Sequence, residues 1–273
     1  SRDFPLKSLA THASVEGGVL ELKPLAFDFT RGKLSGSIRI DGRRDPPVTA
    51  VDARISDIHA ETFIPGADQP IQGTLEARAQ LTGTGASVHR AASTAGGQFT
   101  AVMPQGAIRA SLANWLGVNV LTALGLSLAG DTSNTKLRCA VAHFTAKNGV
   151  LTARQFILDT DPTRVDAHGT IDLRDETMNL RFQGKPKSFQ FVRVRAPITV
   201  KGSLASPSLG VDTGPLVTQG GIGAVLSLIN PFAAILAFID PGLAKDANCA
   251  GILTTAKTQG APVKASAVKT APA

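Results

Sequence analysis

From Gly18 to Ile40 apolar and polar residues alternate one for one, and this period of two constrains the fold more than any other feature. Leu20 and Leu22 alternate with Glu21 and Lys23; past Pro24 the phase changes, and Leu25, Phe27 and Phe29 flank Asp28. Beyond an Arg31-Gly32-Lys33 turn, Leu34, Ile38 and Ile40 are interleaved with Ser35, Ser37 and Arg39. Successive side chains of a strand point to opposite sides, so each segment has one dry face and one wet face. The same alternation returns in Val51–Ile55, Leu75–Leu81, Met178–Phe182 and Ile198–Val200, with Gly, Pro or Asp clusters between them. The 27 glycines and 16 prolines cut the chain into short pieces, which excludes long helical bundles and coiled coils. The expected architecture is a meandering antiparallel sheet with one solvated face.

The chain also echoes itself. Glu16-Gly17-Gly18-Val19-Leu20 leads through a strand to Gly36-Ser37-Ile38, and Lys147-Asn148-Gly149-Val150-Leu151 leads through another to Gly169-Thr170-Ile171. Both read as a turn glycine, a strand, a break and a second strand opening Gly-x-Ile, the mark of a repeated hairpin module.

Something must lie against the dry face, because monomeric proteins rarely expose a contiguous apolar patch of more than a few hundred Å². A second sheet, helices of the same chain and a bound apolar ligand are the three candidates. Ile108, Leu112, Trp115, Leu116, Val120, Leu121, Leu124 and Leu128 recur at spacings of three and four and predict an amphipathic helix over about 107–128, with Trp115 as a core anchor. A shorter helix is expected from Ser87 to Thr94. Residues 214–240 carry no charge before Asp240, and Ile222–Ile239 is almost wholly apolar but is broken by Asn230-Pro231. Two short helices, Ile222–Ile229 and Phe232–Phe238, laid against the dry face fit this better than a membrane span, although a hairpin touching a membrane is physically allowed. The expected organisation is thus a β-region over 1–213, an apolar helical segment over 214–256 and a disordered tail over 257–273, whose Ala, Lys, Thr and Pro lack any apolar period.

Candidate chemistry is scarce. His12, His59, His89, His143 and His168 show no metal-ligand spacing, and no nucleophile elbow or Walker loop is present. Gln219-Gly220-Gly221-Ile222-Gly223 reads as a linker, since no apolar strand precedes it. Asp159-Thr160-Asp161-Pro162 lacks the glycine and closing glutamate of a calcium loop and reads as a hairpin turn. The balance of 28 Lys+Arg against 21 Asp+Glu, net +7, suits an anionic partner. Arg39, Arg54, Arg78, Arg138 and Arg181 stand singly at outward strand positions, however, and aromatics are sparse, which disfavours nucleic acid. Phe191–Arg195 reads as an edge strand with gatekeeping charges. No enzyme, metal or cofactor is expected. The opening Ser1-Arg2-Asp3-Phe4-Pro5 shows neither signal peptide nor anchor, as in a fragment whose upstream part is missing. Cys139 and Cys249 exclude a disulfide-dense scaffold; their spacing leaves one bridge and two separate thiols equally open.

Particular runs carry a family resemblance: Asn114-Trp115-Leu116-Gly117, Thr135-Lys136-Leu137-Arg138-Cys139-Ala140-Val141-Ala142-His143-Phe144, Asn148-Gly149-Val150-Leu151, Gly169-Thr170-Ile171-Asp172-Leu173 and Pro197–Pro207. Asn230-Pro231-Phe232-Ala233 and Ile239-Asp240-Pro241-Gly242-Leu243 followed by Cys249 join them. This succession resembles the C-terminal region of AsmA-family proteins, relatives of TamB and of the chorein-type bridge proteins. The resemblance implies a mainly β fold with some helix, in which a curved antiparallel groove of repeated hairpins takes phospholipid between the membranes of a Gram-negative bacterium. It further implies a periplasmic setting, an inner-membrane anchor absent here, and a Cys139–Cys249 bridge stapling the helical end to the sheet. Leu20, Leu22, Leu25, Phe27, Phe29, Leu34, Ile38, Ile40, Leu75 and Leu81 would line the groove. The expected partners are phospholipid or another acyl lipid, a bacterial membrane and outer-membrane assembly proteins. The competing expectation is a closed β-sandwich acting as an assembly factor without lipid.

Overall fold

A computed structural model describes residues 5–63, 71–109, 133–189, 197–212, 214, 217–218, 221–222 and 243–258. Thirteen strands follow one another through them: β1 (Leu6–Glu16), β2 (Val19–Phe29), β3 (Lys33–Asp41), β4 (Val48–His59), β5 (Ile71–Thr84), β6 (Gly96–Met103), β7 (Gly106–Arg109), β8 (Asn134–Lys147), β9 (Val150–Thr160), β10 (Thr163–Asp172), β11 (Thr177–Pro186), β12 (Ile198–Ser203) and β13 (Ser206–Val211). All belong to a single antiparallel sheet whose spatial order is the order of the chain, with β6 and β7 sharing the place between β5 and β8. The sheet is the curved, groove-like one anticipated. The closed sandwich needs two facing sheets, and among the described residues there is one.

The turns follow from their residues. Gly17-Gly18 and Asn148-Gly149 join β1 to β2 and β8 to β9 as two-residue loops with positive φ throughout, the backbone a tight hairpin requires and one that glycine and asparagine adopt most readily. The phase change at Pro24 is a bulge: register slips between Leu22 and Leu25 against β3, which keeps the apolar residues on one side across the proline. The echo is deeper than its glycines. Asp41 accepts from the Arg43 backbone N–H and guanidinium, Asp172 does the same with Arg174, and each aspartate follows its turn glycine by 23 residues. Gly42 N–H bonds to Gly18 C=O and Leu173 N–H to Gly149 C=O, so each clasp ties a hairpin end to the turn before it. The guanidinium of Arg43 holds the Asp41 carboxyl far below the usual range, and that of Arg174 lowers Asp172 to about 2.

Two α-helices are described in full, besides a single 3-10 turn at Ala60–Phe63. α1 (Val88–Ser93) lies where Ser87–Thr94 predicts it, capped by the Ser87 hydroxyl accepting the Arg90 N–H, and buries Ala91. α2 (Cys249–Thr258) runs two residues past the point where the tail was expected to begin. The helix expected over about 107–128 needs correction at its start. Ala107–Arg109 belong to β7, where Ile108, 1% exposed, lies opposite Ile71 of β5 and Thr135 of β8. Pairing on both sides outweighs the helical spacing that Ile108 shares with Leu112. Residues 110–128, including Trp115, lie outside the described residues, as do Phe191–Arg195 and most of the 222–239 apolar stretch. Gly221, expected in a linker, is helical, as is Ile222, where the first of the two short helices was expected to begin. No helix among the described residues is long and apolar enough to cross a membrane.

Candidate functional site

Residues in register on neighbouring strands share a face, so the pairings assign every side chain of the sheet to one side or the other. One row runs Ala13, Leu22, Ile38, Val51, Leu81, Gly97, Ala146, Leu151, Ile171, Met178, Gly202, Pro207 through twelve strands without interruption. The row beside it, Ser37, Asp52, Gln80, Gln98, Thr145, Thr152, Thr170, Asn179, Lys201, Ser208, is polar at every position and points the other way. No paired position on the apolar side carries a formal charge. At the usual strand spacing the apolar row measures roughly 50 Å across, more than the ~30 Å of a bilayer's hydrocarbon core.

The ten residues singled out in the sequence all fall on this apolar side. Leu20, Leu22, Leu25 and Phe27 pair with Ile40, Ile38, Gly36 and Leu34, Leu34 and Val51 pair onward with Ile55 and Leu81, and Phe29 and Leu75 follow by alternation and by the Ile58 pairing. All ten are half-buried, neither sealed like a core nor open to solvent. Among the described residues no helix packs across the apolar side of β1–β3. Toward the middle of the sheet the same side closes up: Met103, Ile108 and Leu137 form one buried cluster, and Phe144, Ala146, Leu151 and Leu180 another. At both edges it is open, with Leu9 55% and Val15 73% exposed on β1 and Leu209 80% exposed on β13.

Along the centre runs a file of rings that the sequence reading passed over. Phe99 and Phe144 stand 6.3 Å apart, Phe144 and Phe156 6.4 Å edge-on, and Phe156 and Phe182 5.4 Å edge-on. The last pair meets across the small Ala167 of β10, which lies opposite Phe182. Four phenylalanines spread over 84 residues look sparse in sequence; Phe99, Phe144 and Phe182 each alternate with polar neighbours, the signal that would have found them, whereas Phe156 opens the apolar run Phe156-Ile157-Leu158 and gives no such signal.

The opposite side carries the charge. Asp52 accepts from Arg78 at 2.8 and 3.2 Å, Asp166 lies between Arg164 and Lys185, and Arg181 pairs with Asp212. Arg78 depresses the Asp52 carboxyl; burial raises that of Asp166, but Lys185 and Arg164 more than offset it. His143, 7% exposed, shares a 2.8 Å hydrogen bond with Thr100, and burial pushes its pKa down. Among the described residues no group of His, Cys, Asp and Glu is placed to hold a metal.

The helix α2 packs on this polar side, while the expected helices Ile222–Ile229 and Phe232–Phe238 lie almost entirely outside the described residues. Ala256 of α2 is fully buried against Val102 and Val141, with Ile157, Ile252 and Leu253 packed around them. Cys249 is joined to Cys139 of β8, one residue beyond Arg138. Arg138 reaches both Asp159 and Asp246, Lys187 reaches the same two carboxylates, and the Ala247 N–H donates to Asp159. Lys187 and Arg138 hold the Asp246 carboxyl below its ordinary range. Asp159-Thr160-Asp161-Pro162 does form the hairpin turn expected, but Asp159 is a buried anchor within it.

Comparison with known proteins agrees with this architecture. The sequence model of the AsmA family matches residues 2–156. Over 257 residues the chain is 28% identical to the AsmA family protein YhjG of Escherichia coli (strain K12), an alignment covering 93% of this chain and 37% of that protein. The chain therefore spans little more than a third of the length of this curated relative. No solved structure matches it.

Proposed function

The chain belongs to the AsmA family, and from that membership we propose that it is a lipid-binding groove module serving outer-membrane biogenesis, with acyl chains lying along its uncharged side. The observation that carries this reading is the apolar row unbroken through twelve strands, beside a wholly polar row facing the other way. A solvated sheet face normally alternates with charge. One kept free of charge over this width, half-buried at its first strands and exposed at both edges, suits a ligand that is apolar and long. Each methylene transferred from water onto such a surface contributes about 0.8 kcal/mol, so a sixteen-carbon tail gains on the order of 10 kcal/mol, enough to offset most of the cost of leaving a bilayer. Headgroups stay in solvent at the rim. The process needs no covalent step, in keeping with a family not known for enzymes.

In this reading the module works in the periplasm, tethered to the inner membrane through a part of the protein outside this sequence, with phospholipid, the bacterial membranes and outer-membrane assembly proteins as partners. The test is a photo-crosslinkable residue at Phe27, on the apolar side, against one at Arg39, on the polar side, in cells fed labelled phospholipid. Labelled lipid on Phe27 and not on Arg39 is the expected result. Equal labelling, or protein that yields no lipid on solvent extraction and mass spectrometry, would overturn it.

A further inference from the structure

We infer that the polar side of the sheet carries a separate binding site for a phosphate-class anion, at a notch between β2, β4 and β5. The notch is an open depression of about 310 Å³ lined by Lys23, Ser35, Gly36, Ser37, Asp52, Arg54 and Arg78. Its logic begins in the register. Arg54 of β4 lies directly opposite Arg78 of β5 and opposite Ser35 of β3. Like charges directly opposed across a ladder are destabilising unless something neutralises them. Arg78 leans to Asp52, one position along, where Nη2 and Nε donate to the two carboxylate oxygens at 2.8 and 3.2 Å and Gln80 donates at 3.3 Å. The Asp52 charge is thereby matched by Arg78. Arg54 is left over, and Lys23 enters the same notch from the bulge of β2; neither forms an ion pair among the described residues.

What remains is two cations on different strands with no contact ion pair among the described residues, Arg54 acting on Asp52 only through space, flanked by two hydroxyls, Ser35 and Ser37, which directly precede and follow Gly36. A guanidinium presents paired donors to a phosphate's oxygens, an ammonium adds a point charge, and serine hydroxyls donate to what is left. A carboxylate, with two oxygens, would leave part of this donor set idle. The site is independent of the acyl-binding side, because the sheet itself lies between them: the headgroup of a lipid whose tails occupy the apolar row cannot reach Arg54. The anion is therefore the phosphate of another molecule, a headgroup on a membrane surface or a soluble phosphate.

The experiment titrates the full chain with inorganic phosphate at constant ionic strength while recording backbone amide resonances, and in parallel floats it with phosphatidylcholine vesicles with and without phosphatidylglycerol. Shifts confined to the neighbourhood of Lys23, Ser35–Ser37, Asp52–Arg54 and Arg78 are expected. Arg54→Ser should weaken binding about tenfold, as loss of a charge-assisted contact does, and Lys23→Ala should weaken it in the same direction. Arg39→Ser, on the same side but within reach of Glu21 at 3.7 Å, should leave it unchanged. Vesicle binding that depends on Arg54 without free-phosphate binding assigns the anion to a membrane headgroup, and the converse assigns it to a soluble ligand. Binding that falls equally in Arg39→Ser and Arg54→Ser, or no binding to either probe, would overturn the inference.

Discussion

Asp159 is fully buried, with Lys187 Nζ at 2.8 Å and Arg138 Nε at 3.1 Å, and it accepts the Ala247 N–H at 3.2 Å. Removing one member of a buried charged cluster leaves its partners desolvated and unmatched. Asp159→Ala should therefore cost about 3 kcal/mol in denaturant unfolding, and a loss below about 1 kcal/mol would mean that Asp246 suffices as counter-ion. The clasps make a second prediction at this scale. Asp172, lowered from 3.8 to about 2 by the Arg174 hydrogen bond, contributes stability that is complete above the unfolded value and is lost as acid takes the pH down through the folded one. Its carboxyl carbon resonance should titrate near 2 and return toward 3.8 in Arg174→Ala. Sequence alone reveals the Asp-x-Arg spacing of the clasps but not the role of Asp159. Its acidic neighbour in the turn is two residues away, whereas the N–H it accepts lies 88 residues further on.

The strands were legible because a half-buried strand writes its geometry into the sequence as period two, and even the bulge at Pro24 is announced by a change of phase. The echo gave the hairpin turns for the same reason. What could not be read is which side the C-terminal helix would cover. Ala256, Ile252 and Leu253 are ordinary apolar helix residues, and the patch that receives them, Val102, Val141 and Ile157, occupies positions on the wet side. Local alternation predicts polar residues there, so this exception becomes visible only when the helix is in place. Ile108 failed in the opposite direction, its helical spacing overridden by pairing partners 37 and 27 residues away. The disulfide closes a separation of 110 residues. Cys249→Ser should lower stability by about 2–4 kcal/mol and expose α2 to proteolysis before the sheet unfolds. Simultaneous loss of helix and sheet would show that α2 is an integral part of the core.

Across the whole molecule the two sides of the sheet divide the chemistry between them. A charge placed in the apolar row should act on ligand before it acts on fold wherever that row is half-buried. The pair Leu22→Asp and Phe27→Asp is expected to reduce co-purifying phospholipid at least several-fold while far-ultraviolet circular dichroism stays that of the parent. The same change at Leu137, 1% exposed, should instead unfold the protein. Lipid content unchanged in the first pair would remove the apolar row from the binding surface. The order of the strands has a consequence of its own. Since every described strand pairs with one made just before or just after it, place in the sheet and order of synthesis coincide. A chain delivered end first can add each new strand to an edge already standing; β7 and β8 also reach back past one strand, to β5 and β6, and only Cys249 locks onto a strand laid down long before.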